Sequence, residues 1–418
     1  MILKEEEFSM FSKRLEYRWL VVAAGTCLTL LFGIFLSFGV FLDPLIIEFG
    51  WSRTLTSMVF SIYTLSYSLS TILMGKLADR LGSRIVIAIG GVLASSGIGI
   101  SSQTTAIWQL YLTFGVMGGV GAASFWIPST LAVIKWFQTD KNLNLAISIV
   151  SVGTGLGTLL ISPMAGFFIA QYGWRVCYVF MGVLSGGIAI SAVLLVRDPR
   201  EANHVGIDGG ETHSTLPGSN MLQALRTKNF WSLFTVFLLG GGIARNTVMV
   251  HIVSFLTATG FSFLVGTTCL GLIGGGSVIG RLFSGFLSRR LAENRIVFIC
   301  FLLQGVSTLA FILGQNLWIF YFSSLIFGIV YGGYVPQFPI LAKEFFGVKS
   351  YGLIYGVISC GYGLGTLIGP PILGGYVSYA IGSYFPTFLL SAIFSMIAGA
   401  IAFIIRTGTS HEEGVKLS

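Results

Sequence analysis

Long apolar stretches alternate with short polar ones along this chain. Twelve apolar stretches hold the ~20 residues that a helix needs to cross a bilayer. They cover residues 19–42, 55–75, 85–102, 107–134, 143–169, 174–196, 230–257, 263–288, 296–314, 317–342, 351–378 and 384–405. The two-residue alternation of a membrane barrel is absent. Backbone groups in lipid have to be satisfied within each segment, so the spans are predicted helices. The longest polar stretch, Arg197 to Asn229, is rich in Gly, Ser, Thr, Asp and Glu and separates six spans from six. The pattern predicts an all-α membrane protein with twelve transmembrane helices in two pseudo-symmetric six-helix bundles. A cytoplasmic N-terminus (1–18), a bundle (19–196), a cytoplasmic linker (197–229), a second bundle (230–405) and a cytoplasmic tail (406–418) follow in order.

Composition agrees. Of 418 residues, 54% are hydrophobic and 10% charged, against about 25% charged in soluble domains. The net charge of +8 is scattered through short loops, with no basic stripe or domain, which argues against a nucleic-acid partner. The charges orient the chain instead. Of the 24 Lys and Arg, only Arg53 and Arg175 fall in loops on the side away from the termini, and Arg245 and Arg281 fall within spans. The rest lie on the side of the termini, which places both termini in the cytoplasm of a cell (inner or plasma) membrane. The charged N-terminus lacks an apolar core of its own, so the first span reads as an uncleaved anchor. Membrane lipid is the expected surrounding.

Metal and cofactor chemistry is not expected. Cys27, Cys177, Cys269, Cys300 and Cys360 sit inside apolar segments without ligand spacing and read as small core residues. His204 and His213 lie in the polar linker and read as solvated. The run GTGLGT, from Gly153, resembles a nucleotide loop but lies within a span and follows no strand. With no soluble catalytic module, the chain reads as a non-enzyme.

Two cations within spans carry the candidate chemistry. Gly271–Arg290, GLIGGGSVIGRLFSGFLSRR, holds Arg281 in its middle. At ~1.5 Å per residue, Arg281 lies ~12 Å along the helix from Arg289, deep in the hydrocarbon if Arg289 marks the surface. An arginine near the middle of a span costs roughly 2.5–3.5 kcal/mol on insertion scales, so it is expected to face a protein interior or a watery cavity. Its planar fork matches a carboxylate. Arg245, in GGGIARNTVMVH, is a candidate second contact, and its neighbouring glycines are candidates to break span 7. No Asp or Glu lies at mid-depth; Asp43 is near the outer end of span 1. His251, six residues past Arg245, is a candidate proton carrier. Tyr331, Tyr334, Tyr355, Tyr362, Phe125 and Trp126 are candidate cavity walls, and Pro128, Pro336 and Pro339 are expected to shape spans 4 and 10.

The chain also repeats itself. Gly153–Gly166, GTGLGTLLISPMAG, matches Gly361–Gly374, GYGLGTLIGPPILG, at eight of fourteen positions with an offset of 208. Spans 5 and 11 are therefore equivalent members of two parallel halves. Glycines two and four apart let helices approach closely, and the matched prolines, Pro163 and Pro371, can bend them. Two such halves with a site between them suit rocking-type alternating access.

GKLADRLGSR, Gly75 to Arg84, matches the major facilitator superfamily signature G-x-x-x-D-R-x-G-x-R at every defined position. In that signature Asp79 would latch the cytoplasmic side, Arg80 and Arg84 would brace the loop, and Gly75 and Gly82 would allow close approach and a turn. With SFGVFLDPLIIEFGWSR, VHIVSFLTATGFS, GGGSVIGRLFSG and GPPILGGYVSYAIGSY, the whole chain resembles the bacterial monocarboxylate transporters and the related oxalate/formate antiporters. The resemblance implies that Arg281 binds a carboxylate, and that the chain is a proton-coupled symporter or an anion exchanger of small organic acids. The chain departs from its relatives at Ser277, where animal-type members carry an aspartate, and at Leu36, where they carry a lysine. It also lacks the span 11 lysine of the oxalate exchanger. His251, Asp43 or protonated substrate could replace the missing acid. Export of amphipathic cations would call for an interior acid, and a membrane sensor is the remaining class.

Overall fold

The computed structural model describes residues 17–137, 142–196, 219–288, 290–347 and 351–405, whose regular structure is helical. The first four crossings are α1 (Tyr17–Phe49), α2 (Arg53–Leu81), α3 (Ser83–Ser101) and α4 (Ile107–Phe137). A helical run over Leu143–Leu195 follows. At 1.5 Å per residue it would extend ~80 Å, far more than a ~30 Å hydrocarbon layer. Gly173, with φ 81° and ψ 164°, divides it into α5 (143–172) and α6 (174–195). The second half comprises α7 (Lys228–Ala258), α8 (Phe263–Leu287), α9 (Glu293–Leu313), α10 (Leu317–Phe346), α11 (Leu353–Ile381) and α12 (Phe385–Ile404). Twelve crossings put residues 17 and 405 on one face, the terminal face; the opposite one is the far face.

Local chemistry sets the helix ends. The α1 helix continues seven residues past the expected boundary, until Gly50 takes up a left-handed conformation (φ 67°). The Ser52 and Ser262 hydroxyls accept the Leu55 and Val265 amides, capping α2 and α8. At Gly82, φ 84° turns the chain directly from α2 into α3. Within the expected linker, residues 219–220 lead into a short helix, Met221–Leu225, and α7 starts at Lys228; residues 197–218 lie outside the described residues.

The two halves repeat one packing scheme. In the first, Gly157 of α5 lies on the α1 backbone, where a methyl would overlap the Leu30 carbonyl. In the second, Gly365 of α11 lies in the same way on Leu238 and Gly242 of α7. The opposite face of each glycine helix meets the other half. Gly155 faces Gly274 and Ser277 of α8, and Gly363 faces Ser68 and Leu65 of α2. Association in lipid depends on such close packing rather than on a hydrophobic drive between helices.

The equivalence includes an offset. Leu30 corresponds to Leu238, but the next matched contact pairs Gly33 with Gly242. The second half therefore holds one residue more between them. The α1 helix is tightened here by i→i−3 bonds, Leu31 N to Leu28 O and Ile34 N to Leu31 O (both 3.1 Å). The α7 helix is instead wound as a π-helix over Phe237–Arg245. Wide turns of this kind insert one residue and are frequent at functional sites. The three glycines of α7 thus widen the helix without breaking it. Another wide segment, Gly369–Val377, holds Pro370 and Pro371 in α11, and α10 is interrupted between Tyr334 and Gln337, at Val335 and Pro336.

From mid-depth to the far face the halves are tied together. Gly39 of α1 lies on the Val250 carbonyl of α7, Gly166 of α5 on Thr267 of α8, and Gly375 of α11 on Thr54 of α2. Toward the terminal face, the Ile72 side chain faces Gly356. The structure is therefore closed at its far face.

One side-chain expectation is corrected. Cys177, Cys269 and Cys300 are buried and Cys360 is half-buried, but Cys27 is exposed on α1. Lipid is as apolar as the protein interior, so an apolar segment does not reveal which of its residues face inward.

Candidate substrate site

Glycines bring the site together. On α8, Gly276 and Gly280 let the α10 backbone approach at Leu325 and Ile329, while Gly274 admits Thr158 and Leu159 of α5. The α8 helix is thereby wedged between its own half and the opposite one, and Arg281 projects at that seam. Its Nη1 donates to the Ser151 carbonyl and the Thr154 hydroxyl, both on α5. Its Nη2 donates to the Tyr331 hydroxyl of α10 at 3.4 Å.

Arg245 ends the wide turn of α7 and is only 6% exposed. Its Nε and Nη2 donate to the Asn246 Oδ1 at 3.0 and 2.7 Å, and Nη2 also donates to the Tyr362 hydroxyl. Asn246 is oriented in turn by donating to the Thr366 Oγ1 at 2.6 Å. Ser61 of α2 donates to the Thr366 carbonyl at 2.6 Å, linking this network to the first half.

Tyr331 joins the two cations. The Arg245 guanidinium carbon lies 4.5 Å from the centre of its ring and that of Arg281 5.7 Å. The Tyr362 ring lies 4.9 Å from Arg245. Aromatic faces attract cations, but each contact contributes only about 0.5–2 kcal/mol. All the hydrogen-bond partners of the two guanidiniums named above are neutral. An incoming carboxylate would supply the missing charge and accept two parallel N–H bonds from one fork.

The structure thus brings Arg281, Arg245, Tyr331 and Tyr362 together. Tyr334 stands with them, beside Arg245 and with its ring centre 6.1 Å from that of Tyr331, and it also stacks on Phe301 (centroids 4.4 Å apart). Tyr355 stands half-buried and edge-on to Phe237. Phe125 is fully buried, edge-on to Phe32 in the first half, and Trp126 is half-buried against the same core. Asp43 is paired with Arg53 at 2.9 Å toward the far face, and Arg53 also donates to the Tyr384 hydroxyl of the second half. His251 is fully buried in α7 where α2 and α11 meet it. At the loop signature, Gly75 faces Ile127, and Arg80 and Arg84 are exposed. The Asp79 side chain, on which the latch depends, lies outside the described residues, as does Arg289.

Sequence reasoning missed Asn246 and Thr366, which fix Arg245. A polar residue directly after an intramembrane arginine was the available signal for the first. Thr366 sat in the repeat, where it was read as packing. Arg53 had counted only toward topology, yet it bridges the halves.

The fold and the cation-bearing seam define a membrane carrier of two bundles. The chain belongs to the Major Facilitator Superfamily, whose family model matches residues 22–314 and 276–418. It is similar to monocarboxylate transporter 12 of Homo sapiens, 28% identical over 381 residues, covering 84% of this chain and 73% of that protein. Monocarboxylate transporter 13 of Rattus norvegicus is 26% identical over 393 residues, covering 91% of this chain and 87% of its own length. Among solved structures, a D-xylose–proton symporter matches with a TM-score of 0.73 at 12% identity, covering 94% of this chain and 98% of that one, a likeness of fold.

Proposed function

We propose that the protein is a secondary carrier of small monocarboxylates, of the size of lactate, pyruvate or formate. It works by alternating access in a cell membrane with both termini in the cytoplasm. The observation that carries this reading is the pair of guanidiniums against Tyr331, at the seam between the bundles, with only neutral partners. Arg281 binds the carboxylate with its planar fork, Arg245 adds positive potential, and Tyr331 and Tyr362 wall the small organic body. In this closed form Arg281 is held by α5, so substrate displaces the Ser151 and Thr154 contacts and loosens the seam as it binds. The names of the relatives and the positive charge on the terminal side support the reading. Proton symport is the coupling mode that the family resemblance favours.

Exchange of organic anions is the second reading. Arg245 favours it, because it supplies a second cation although span 11 holds no lysine.

Uptake of labelled lactate, formate and oxalate into proteoliposomes, with and without a pH gradient, tests both. Gradient-driven lactate or formate uptake is expected. Arg281→Lys keeps the charge but loses the fork and is expected to reduce uptake ~10–100-fold, the worth of a charge-assisted bond. Wild-type uptake in that variant would contradict the carboxylate contact. Indifference to the gradient, with acceleration by internal anion, would establish exchange.

A further inference from the structure

His251 is a buried ionisable group that the carboxylate site does not use. It lies toward the far face, six residues beyond Arg245, where both halves close around its ring. Its Nε2 is 2.9 Å from the Pro370 carbonyl of α11 and 3.2 Å from the Ser57 hydroxyl of α2. Gly374 makes the space, since a methyl there would overlap the imidazole. That glycine is available because the wide turn of α11 brings Gly375, rather than Gly374, onto Thr54 of α2.

The neighbours assign the tautomer. The Pro370 carbonyl can only accept. The Ser57 hydroxyl already donates to the Arg53 carbonyl at 2.6 Å, so it too presents a lone pair. Nε2 therefore carries the hydrogen and shares it between the two oxygens. Nδ1 is then the bare nitrogen, and it is buried without a partner. The charged or titratable groups nearby offer it no acceptor. Arg53 on α2 is a like charge and is itself bound to Asp43 of α1 and Tyr384 at the start of α12. The Tyr384 ring centre stands 5.9 Å from the imidazole, α11 presents the Pro370 carbonyl, and Arg245 lies farther along α7. Cys269 on α8 and Tyr321 on α10 make no hydrogen bond to the ring.

We propose that His251 Nδ1 is a proton-binding site linked to the far face: the seam closes around the neutral ring, and a proton on Nδ1 holds it open. In the closed form the added N–H would be buried without an acceptor, and its charge would lie uncompensated beside Arg53; both are costly. In the open form water solvates the imidazolium. Closing therefore expels the proton, and acid shifts the population toward the open far face. The inference rests on the two-state carrier reading but not on the identity of the substrate. If the far face is the outer one, external acid favours the state that loads substrate from outside.

The test is a distance measurement on the full-length protein in lipid, without substrate. Spin labels at Ile47→Cys and Tyr379→Cys, both exposed and in opposite halves, report the far face. Cys27 and Cys360 are replaced by serine in this background. Lowering the pH from 8 to 5 is expected to raise the long-distance population at least several-fold in the parent and in Asp43→Asn, and to leave His251→Gln unchanged. If His251→Gln fails to fold, Ser57→Ala takes its place: losing one of the two Nε2 acceptors should increase the open population already at pH 8. A parent that does not respond to pH, a His251→Gln protein that responds as the parent does, or a Ser57→Ala protein as closed as the parent would overturn the proposal. Failure of lactate uptake would leave this measurement untouched.

Discussion

The two seams between the bundles are built on one plan and finished differently. At α5–α8, Gly155 lies so close to the facing helix that an added methyl would sit 2.6 Å from Ser277 Oγ and 2.8 Å from the Gly274 carbonyl. At α11–α2, its repeat partner Gly363 would bring a methyl only to 3.4 Å from Ser68 Oγ, ordinary contact. The tight seam carries the cation: Arg281 crosses it to Ser151 and Thr154. The looser seam carries a neutral tie, from Ser61 to the Thr366 carbonyl, and α2 holds no Lys or Arg between Arg53 and Lys76. The central helices differ in the same sense. The α1 helix is tightened and presents the neutral Leu36 and Ser37 where α7 is widened and presents Arg245 and Asn246.

Within each half, by contrast, the symmetry is close, and substitution should expose this most strongly. Gly157→Val and Gly365→Val each drive a side chain into a backbone carbonyl of the partner helix, Leu30 or Leu238. Overpacking of this kind typically costs 1–3 kcal/mol, and more where backbone cannot move. Both variants are expected to lose most folded protein, to similar extents, in thermal unfolding of the detergent-solubilised carrier. A large loss in one and none in the other would break the proposed equivalence.

A smaller effect should separate the seams. Gly155→Ala is expected to lower the uptake rate several-fold, because the α5–α8 contact cannot close, with the melting temperature nearly unchanged. Gly363→Ala is expected to transport within about twofold of the parent, since its methyl meets nothing closer than an ordinary contact. Equal impairment of the two would remove the asymmetry between the seams.

Much of this architecture was legible before any coordinate. Span length and the distribution of Lys and Arg marked twelve crossings, and Gly153–Gly166 against Gly361–Gly374 marked two parallel halves. Arg281 declared itself by its position in an apolar segment. The extra residue in α7 was hidden, because winding leaves composition and spacing intact. It shows only when Gly33 and Gly242 are seen against their partner glycines. The outward face of Cys27 and the interior placement of Phe125 were hidden for another reason. Periodicity finds helix faces by the contrast between water and core, and lipid offers no such contrast. The second-half network from Arg245 through Asn246 to Thr366 depends on which helices meet, which a single sequence does not state.

The central claim is that the Arg281 guanidinium, at the seam, is the group that engages the carboxylate. Equilibrium binding of a labelled monocarboxylate to the purified carrier measures this without the complications of coupling or flux. Saturable binding is expected in the parent, and Arg281→Lys is expected to weaken it at least tenfold with the melting temperature unchanged. Equal affinity in the two proteins would contradict the account.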